Sequence, residues 1–168
     1  MFETFLSRLG WFVFLLMLQV FVFNHIHLFG YATPLPYIYF LLILPGNTSR
    51  WVYVLTGFAL GLLTDLFTNT PGMAAAATCL SGLCIPLFLR IFSPTEVDDE
   101  VFEPSHRSME WGPFLRYTIT AVLLQCTAFF TIEAFSFSGW QMLLTNIGGS
   151  SLLTTLLVIA MELIRIKK

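Results

Sequence analysis

The sequence predicts an all-α polytopic membrane protein: a single domain over residues 1–168, with six transmembrane helices and both termini on one side. Hydrophobic residues make up 57% of the chain and charged residues only 11%, a composition that excludes an ordinary soluble domain. A helix of about 20 apolar residues spans the hydrocarbon core of a bilayer. The apolar stretches lie at about 9–29, 34–45, 51–68, 73–92, 113–134 and 140–164. Six helices fit into the chain only if their connections are short. No nucleic-acid-binding surface is expected.

The distribution of positive charge predicts the orientation. All eight Lys and Arg residues fall on one side of the six-segment path: Arg8, Arg50, Arg90, Arg107, Arg116, Arg165, Lys167 and Lys168. The three connections on the other side, near 30–33, 69–72 and 135–139, contain none. Because Lys and Arg are enriched in cytoplasmic connections, the basic side and both termini are predicted to be cytoplasmic.

The first two segments each have an alternative. Segment one is longer than the roughly 7–15 apolar residues of a signal peptide, so an uncleaved helix is expected instead. Segment two is short and bounded by Pro34, Pro36 and Pro45. A re-entrant loop there would move every basic residue except the first to the outside, which disfavours it. We expect a short, tilted or irregular crossing, with Tyr37 and Tyr39 at the outer interface.

Segment three carries the most informative constellation of side chains. Gly57, Gly61 and Asp65 are spaced four residues apart, so they share one helical face. The glycines allow another helix to approach closely, either within the bundle or in a partner protein. An ionisable group inside a span is costly unless it is paired, and this outer side has no Lys or Arg. Hydrogen bonds to Thr68 or Asn69, water, a neutral carboxyl and a partner's cation are the alternatives.

The connection between segments four and five is the one hydrophilic stretch of the chain, residues 93–112. Its carboxylates are Glu96, Asp98, Asp99, Glu100, Glu103 and Glu110. A solvated cytoplasmic loop is expected, and a docking site for a basic partner is the alternative. Acidic residues hardly influence topology, so this loop does not change the predicted orientation.

Segment six contains a second group of small residues. Gly148, Ser151 and Thr155 share one helical face and form a small, hydrogen-bonding stripe that suits helix association. Near its inner end, Glu162 and Arg165 are three residues apart and are expected to form a weak interfacial ion pair.

The run Gly57-Phe-Ala-Leu-Gly-Leu-Leu-Thr-Asp65, continued by Leu-Phe-Thr-Asn-Thr-Pro-Gly72, resembles the signature of the bacterial rod shape-determining MreD family. The chain length, the six hydrophobic segments and the proline-bounded second segment are also similar to that family. The resemblance implies a non-enzymatic scaffold of the bacterial inner membrane that binds MreC and helps to organise peptidoglycan synthesis. MreB, RodA and a transpeptidase are the further partners it implies. The candidate partner-contact or motif residues are Gly57, Gly61, Asp65, Pro71, Gly72, Gly148, Ser151 and Thr155.

A second resemblance gives the alternative function. MreD-like proteins are similar in fold to the substrate-binding subunits of energy-coupling-factor vitamin transporters, so a small-molecule-binding membrane subunit is the alternative. Asp65 and Asn69 would then contribute to an outward-facing pocket. An enzyme is not expected, because the chain has no HExxH or Gly-x-Ser-x-Gly motif, and no His follows Ser150. No cofactor or metal is expected.

Overall fold

The computed structural model describes residues 2–23, 33–70, 72–93, 102–134 and 140–166, and within these ranges the regular structure is helical throughout. Four of the helices are long and apolar enough to cross a membrane: α3, α4, α6 and α7. The fold is that expected of an α-helical membrane protein. The helices are α1 (Phe2–Phe21), α2 (Ile38–Leu42), α3 (Arg50–Thr68), α4 (Met73–Phe92), α5 (His106–Met109), α6 (Trp111–Ala134) and α7 (Trp140–Ile166).

The four long apolar helices agree with the predicted segments to within two residues at each end. Apolar runs of this length form helices in a bilayer because every backbone group is then bonded within the segment. Helix α1 begins at Phe2, earlier than predicted, and the part of segment one beyond residue 23 lies outside the described residues. Helices α1, α3, α4, α6 and α7 are packed as neighbours in that order.

Segment two differs most from a membrane-spanning helix. We call residues 33–46 the central segment, because it lies among the five long helices and every residue from 34 to 45 is buried. Only Ile38–Leu42 is helical. The irregular character was expected, but the predicted interfacial position of Tyr37 and Tyr39 is wrong, since neither side chain is exposed.

Hydroxyl groups of α7 satisfy the backbone at the start of the central segment. The N–H of Thr33 donates to Ser150 Oγ at 3.0 Å, and the N–H of Leu35 donates to Thr154 Oγ1 at 2.9 Å. A non-helical backbone is tolerated at membrane depth only where protein groups or a cavity replace its missing hydrogen bonds. The two hydroxyls of α7 supply such partners.

Two tyrosines donate hydrogen bonds to backbone carbonyls at the end of the central segment. The last carbonyls of a helix have no partners within the helix, so they need such donors. The hydroxyl of Tyr117 donates to the carbonyl of Leu42 at 3.3 Å. The hydroxyl of Tyr53 lies 3.0 Å from the carbonyl oxygen of Leu44 and 3.1 Å from that of Pro45. The central segment is therefore held from α3, α6 and α7 at once.

The central segment runs in the same direction as α7 and opposite to α1. This follows from the order in which its residues meet the two helices. The contact pairs are Pro34 with Gln19 and Tyr39 with Trp11 on α1, and Leu35 with Thr154 and Tyr39 with Glu162 on α7.

Substitution of Thr154 tests this support directly. Thr154→Val removes the acceptor of the Leu35 N–H while it preserves the shape of the side chain, so the buried donor loses its partner. We expect a destabilisation of about 1–3 kcal/mol and faster amide hydrogen exchange at Leu35. Thr155→Val is the matched control, because the Thr155 hydroxyl donates only within its own helix, to Ser151. Equal exchange at Leu35 in the two variants would contradict the assignment.

Residues 102–110 of the acidic connection pack onto the bundle. The N–H of Gly46 donates to the carbonyl of Phe102 at 2.8 Å, and Met109 at the end of α5 is buried. Ser105 caps α5 by accepting from the N–H groups of Arg107 and Ser108. The prediction of a wholly solvated loop is therefore wrong for this part. Residues 94–101 lie outside the described residues.

Candidate functional site

The glycines of segment three face α4. A methyl group placed on Gly57 would lie 2.7 Å from the carbonyl oxygen of Thr78. One placed on Gly61 would lie 2.5 Å from the Cα of Ala75 and would also overlap the Thr78 hydroxyl. These positions leave no room for any side chain, because the obstacles include backbone atoms of the neighbouring helix.

Helix α4 also has a glycine at its contact with α3. A methyl group on Gly82 would lie 2.6 Å from the carbonyl oxygen of Tyr53 in α3. The two helices are therefore in backbone contact from both sides, which is the close approach that small residues permit in membranes. We call α3, α4 and their connection the α3–α4 hairpin.

Asp65 is bonded to the N-terminus of α4. Its Oδ1 accepts from the N–H of Ala74 at 2.9 Å and from the Thr70 hydroxyl at 2.7 Å. Its Oδ2 accepts from the N–H of Ala75 at 2.8 Å. The first N–H groups of a helix have no intrahelical partners and carry a partial positive charge, so a carboxylate there is favoured. This explains how a buried carboxylate is accommodated although no described Lys or Arg pairs with it.

The connection between the two helices contains two residues in the left-handed region. Asn69 ends α3 with φ of 57°, and Gly72 precedes α4 with φ of 79°. Asparagine and glycine are the residues that adopt this conformation most readily. Pro71 lies outside the described residues. The turn brings the first residues of α4 over Asp65.

These contacts correct the partner-contact prediction for segment three. Gly57, Gly61 and Asp65 do share one face, as their spacing predicts, but α4 of the same chain occupies that face. Of the alternatives for Asp65, hydrogen bonding within the chain is the one observed, with Thr70 and two backbone groups in place of Thr68 or Asn69.

The predicted stripe of α7 is only partly buried. Gly148 is exposed, and a methyl group placed on it would meet no atom of the described residues within 4 Å. The hydroxyls of Ser151 and Thr155 donate to carbonyls of their own helix. The stripe that packs inward is the adjacent one, with Ser150 and Thr154, which hold the central segment. The four-residue spacing of two hydroxyl residues was visible in the sequence, but their backbone partners were not.

A buried polar cluster lies near the C-terminal end of α7. Glu162 has no exposed surface. Its Oε2 accepts a hydrogen bond from the Tyr39 hydroxyl at 2.6 Å, and its Oε1 accepts one from the backbone N–H of His106 at 3.3 Å. Arg165 Nη1 lies 3.6 Å from Glu162 Oε2, and Arg165 Nη2 donates to Glu103 Oε2 at 2.7 Å. The cluster joins α7, the central segment and the docked connection.

This cluster was missed at the sequence level. The prediction of a weak, interfacial Glu162–Arg165 pair is wrong, because the carboxylate is fully buried and has further partners. A buried carboxylate is stable only where hydrogen bonds and opposite charge replace its hydration. Removing one partner would leave a buried charge under-satisfied, so the cluster fixes the position of Tyr39 and of residues 102–110.

A third polar group lies deep in the bundle. Ser81 of α4 donates to Gln125 Oε1 at 2.6 Å, and Gln125 Nε2 of α6 donates to the Tyr37 hydroxyl at 3.0 Å. None of the three side chains is exposed. This chain of hydrogen bonds links α4, α6 and the central segment in the same way that the Glu162 cluster links α7 to it.

Comparisons of the chain with models of protein families, with curated proteins and with solved structures found no match. The class of the protein therefore depends on its own fold and geometry: an α-helical membrane bundle built around a buried, side-chain-supported central segment.

Proposed function

We propose that the chain is a non-enzymatic scaffold of MreD type in the bacterial inner membrane, where it binds MreC and helps to organise peptidoglycan synthesis. The observation that carries this proposal is the α3–α4 hairpin. Three of the residues on which the resemblance depends form one unit, with Gly57 and Gly61 at the helix contact and Asp65 at the cap. A motif whose members hold two helices together fixes the shape of the bundle. A scaffold requires such a fixed shape, because it presents a constant surface to its partners.

The interior polar groups support the same interpretation. Asp65, Gln125 and Glu162 each bond to other groups of the chain, and together they fix the helices and the central segment. Their arrangement favours a rigid body. Such a body acts through its surface, by association with other membrane proteins.

Six crossings with both termini cytoplasmic are part of the proposal. The direction of the central segment, opposite to α1 and along α7, supports a crossing of the second segment. Labelling with a membrane-impermeant thiol reagent tests it in variants that lack the native cysteines. Ser138→Cys is expected to react from outside and Thr48→Cys to be protected. A re-entrant second segment would reverse the two results.

The proposed MreC contact moves to α7, because α4 covers the motif face of α3. Gly72 and Gly148 are the predicted contact residues that are exposed with no described atom within 4 Å of an added methyl group. Gly72 has a positive φ of 79°, which strains any side chain, so Gly148 is the position at which a substitution can test the contact. A leucine there would obstruct a closely packed partner helix without disturbing the bundle. Gly10→Leu is the matched control, since Gly10 of α1 is also exposed and no described residue comes within 4 Å of an added methyl group.

Affinity purification of the tagged full-length chain from its native membranes in a mild detergent, followed by mass spectrometry, tests the function. We expect MreC to be retained by the wild type and by Gly10→Leu and to be lost from Gly148→Leu. Retention of MreC by both variants would exclude the α7 surface but not the function. Recovery of paired ATPases with a membrane coupling subunit would favour the vitamin-transporter alternative, and absence of MreC from every sample would contradict the proposal.

A further inference from the structure

Three exposed arginines lie at one end of three neighbouring helices. Arg50 is the first residue of α3, Arg90 is in the last turn of α4, and Arg116 is in the second turn of α6. All three side chains are exposed. Helix α4 packs against both α3 and α6, so the arginines belong to adjacent helices.

Contacts with the central segment show that the three arginines lie at a similar level. Tyr53, one turn after Arg50, reaches the carbonyls of residues 44 and 45. Tyr117, next to Arg116, reaches the carbonyl of residue 42. Leu89, next to Arg90, lies against residue 46. Tyr53, Tyr117 and Leu89 therefore all contact residues 42–46. The three arginines, which are near these residues in the sequence and are exposed, lie at about the same height along the bundle.

Arg90 and Arg116 each continue into an exposed apolar stripe directed toward the other end of the bundle, and Arg50 lies beside one. On α4 the stripe is Arg90, Leu87 and Leu83, and on α6 it is Arg116, Ile119 and Leu123, at helical spacings of three and four. On α3, the exposed Trp51 and Leu55 form a stripe at a spacing of four that begins one residue after Arg50 and lies beside it on the helix. A cation at the end of an exposed apolar stripe matches a phospholipid, whose charged headgroup is joined to acyl chains.

Two of the three described carboxylates at this end are already paired with a cation. Glu103 and Glu162 are engaged by Arg165, and Glu110 is exposed. Exposed tryptophans flank the arginines: Trp51 is 83% exposed and Trp111 is 43% exposed. Indole rings at the ends of apolar helices are typical of the headgroup region of a membrane.

We propose that Arg50, Arg90 and Arg116 form a collar that binds the phosphate-bearing headgroups of anionic phospholipids, whose acyl chains lie along the exposed stripes of α3, α4 and α6. The collar is independent of the MreC proposal. Arginine suits this role because its planar guanidinium donates two parallel hydrogen bonds to phosphate oxygens.

Titration of the purified full-length chain in a neutral detergent tests the collar. Phosphatidylglycerol, phosphatidylcholine and inorganic phosphate are added separately, and lipid retention is measured by native mass spectrometry together with the thermal unfolding midpoint. We expect the wild type to retain phosphatidylglycerol preferentially. Arg50→Gln, Arg90→Gln and Arg116→Gln should each weaken that preference about fivefold, which corresponds to the attraction of one basic residue to an anionic surface.

Two controls separate charge and position from loss of folding. Arg107→Gln removes the same charge from α5, outside the three stripes, and should retain the wild-type preference. Conversion of all three collar arginines to lysine preserves the charge and should retain most of the preference for phosphatidylglycerol. If each glutamine variant binds phosphatidylglycerol as the wild type does, the collar is excluded. An equal stabilisation by inorganic phosphate, or a preference lost only on neutralising the acidic residues 96–100, would also overturn the lipid assignment.

Discussion

Gly61→Leu is expected to prevent the α3–α4 hairpin from closing. Even the first carbon of the new side chain would overlap the Thr78 hydroxyl and lie 2.5 Å from the Cα of Ala75 and 2.6 Å from the carbonyl oxygen of Ala74. A flexible side chain rotates away from such a contact, but a backbone does not. The two helices would have to separate along the hairpin, which removes contacts well beyond the site of substitution.

We expect a loss of at least about 3 kcal/mol of unfolding free energy, the upper end of the range for overpacked cores, because the obstacle is backbone. The measurement is the thermal unfolding midpoint of the purified protein in detergent. Gly148→Leu makes the same chemical change in α7, where an added methyl group has no neighbour within 4 Å in the described part of the chain, and it should leave the midpoint close to wild type. Equal midpoints for the two variants would show that the close contact of α3 with α4 is not formed in the protein.

The long helices of this fold were accessible from the sequence because the signal for each is local. An apolar run of about 18 residues or more, ended by a breaker or a charge, identifies a spanning helix without knowledge of its neighbours. The turn after α3 illustrates this: Asn69 and Gly72 are the residues that take the left-handed conformation, and both boundaries there were predicted correctly.

The central segment was not accessible in the same way. Its conformation depends on partners more than 100 residues away in the sequence: Thr154 for the N–H of Leu35 and Glu162 for the hydroxyl of Tyr39. A tyrosine near prolines is typical of the membrane–water interface, so the sequence alone predicted that the ring of Tyr39 lies in the headgroup region. Only the tertiary structure shows that the buried carboxylate requires that hydroxyl in the interior.

Asp65 shows a different limit. Spacing correctly placed it on the glycine face. Its partners are largely backbone N–H groups, which every residue carries and no side-chain pattern reveals. The alternatives that named a partner's cation or neighbouring side chains therefore omitted the N-terminus of the following helix.

Asp65→Ala is expected to weaken the same hairpin from its other end. The substitution removes the acceptor for the N–H groups of Ala74 and Ala75 and for the Thr70 hydroxyl, and leaves buried donors without partners. Loss of a helix cap costs about 1 kcal/mol, and hydrogen bonds to a charged group contribute about 1.5–3 kcal/mol each. These contributions are not additive, so we expect a total of about 3 kcal/mol in the unfolding free energy of the isolated protein.

Asp65→Asn separates the hydrogen bonds from the charge. The amide keeps one oxygen acceptor but presents an NH₂ group where the second acceptor was, so one backbone donor loses its partner. It also removes the negative charge that favours the helix N-terminus. We therefore expect a smaller loss than for alanine, with increased amide exchange at Ala74 or Ala75 but not at both equally.

The same pair of variants distinguishes a cap from a partner contact. If Asp65 served chiefly to bind a cation on MreC, Asp65→Ala would leave the isolated protein as stable as the wild type and would affect only co-purification. A cap gives the opposite order: stability falls in the isolated protein, and any loss of a partner follows from the loosened hairpin. Because Asp65 is 5% exposed and its oxygens already accept three hydrogen bonds from the chain, the second order is the one expected.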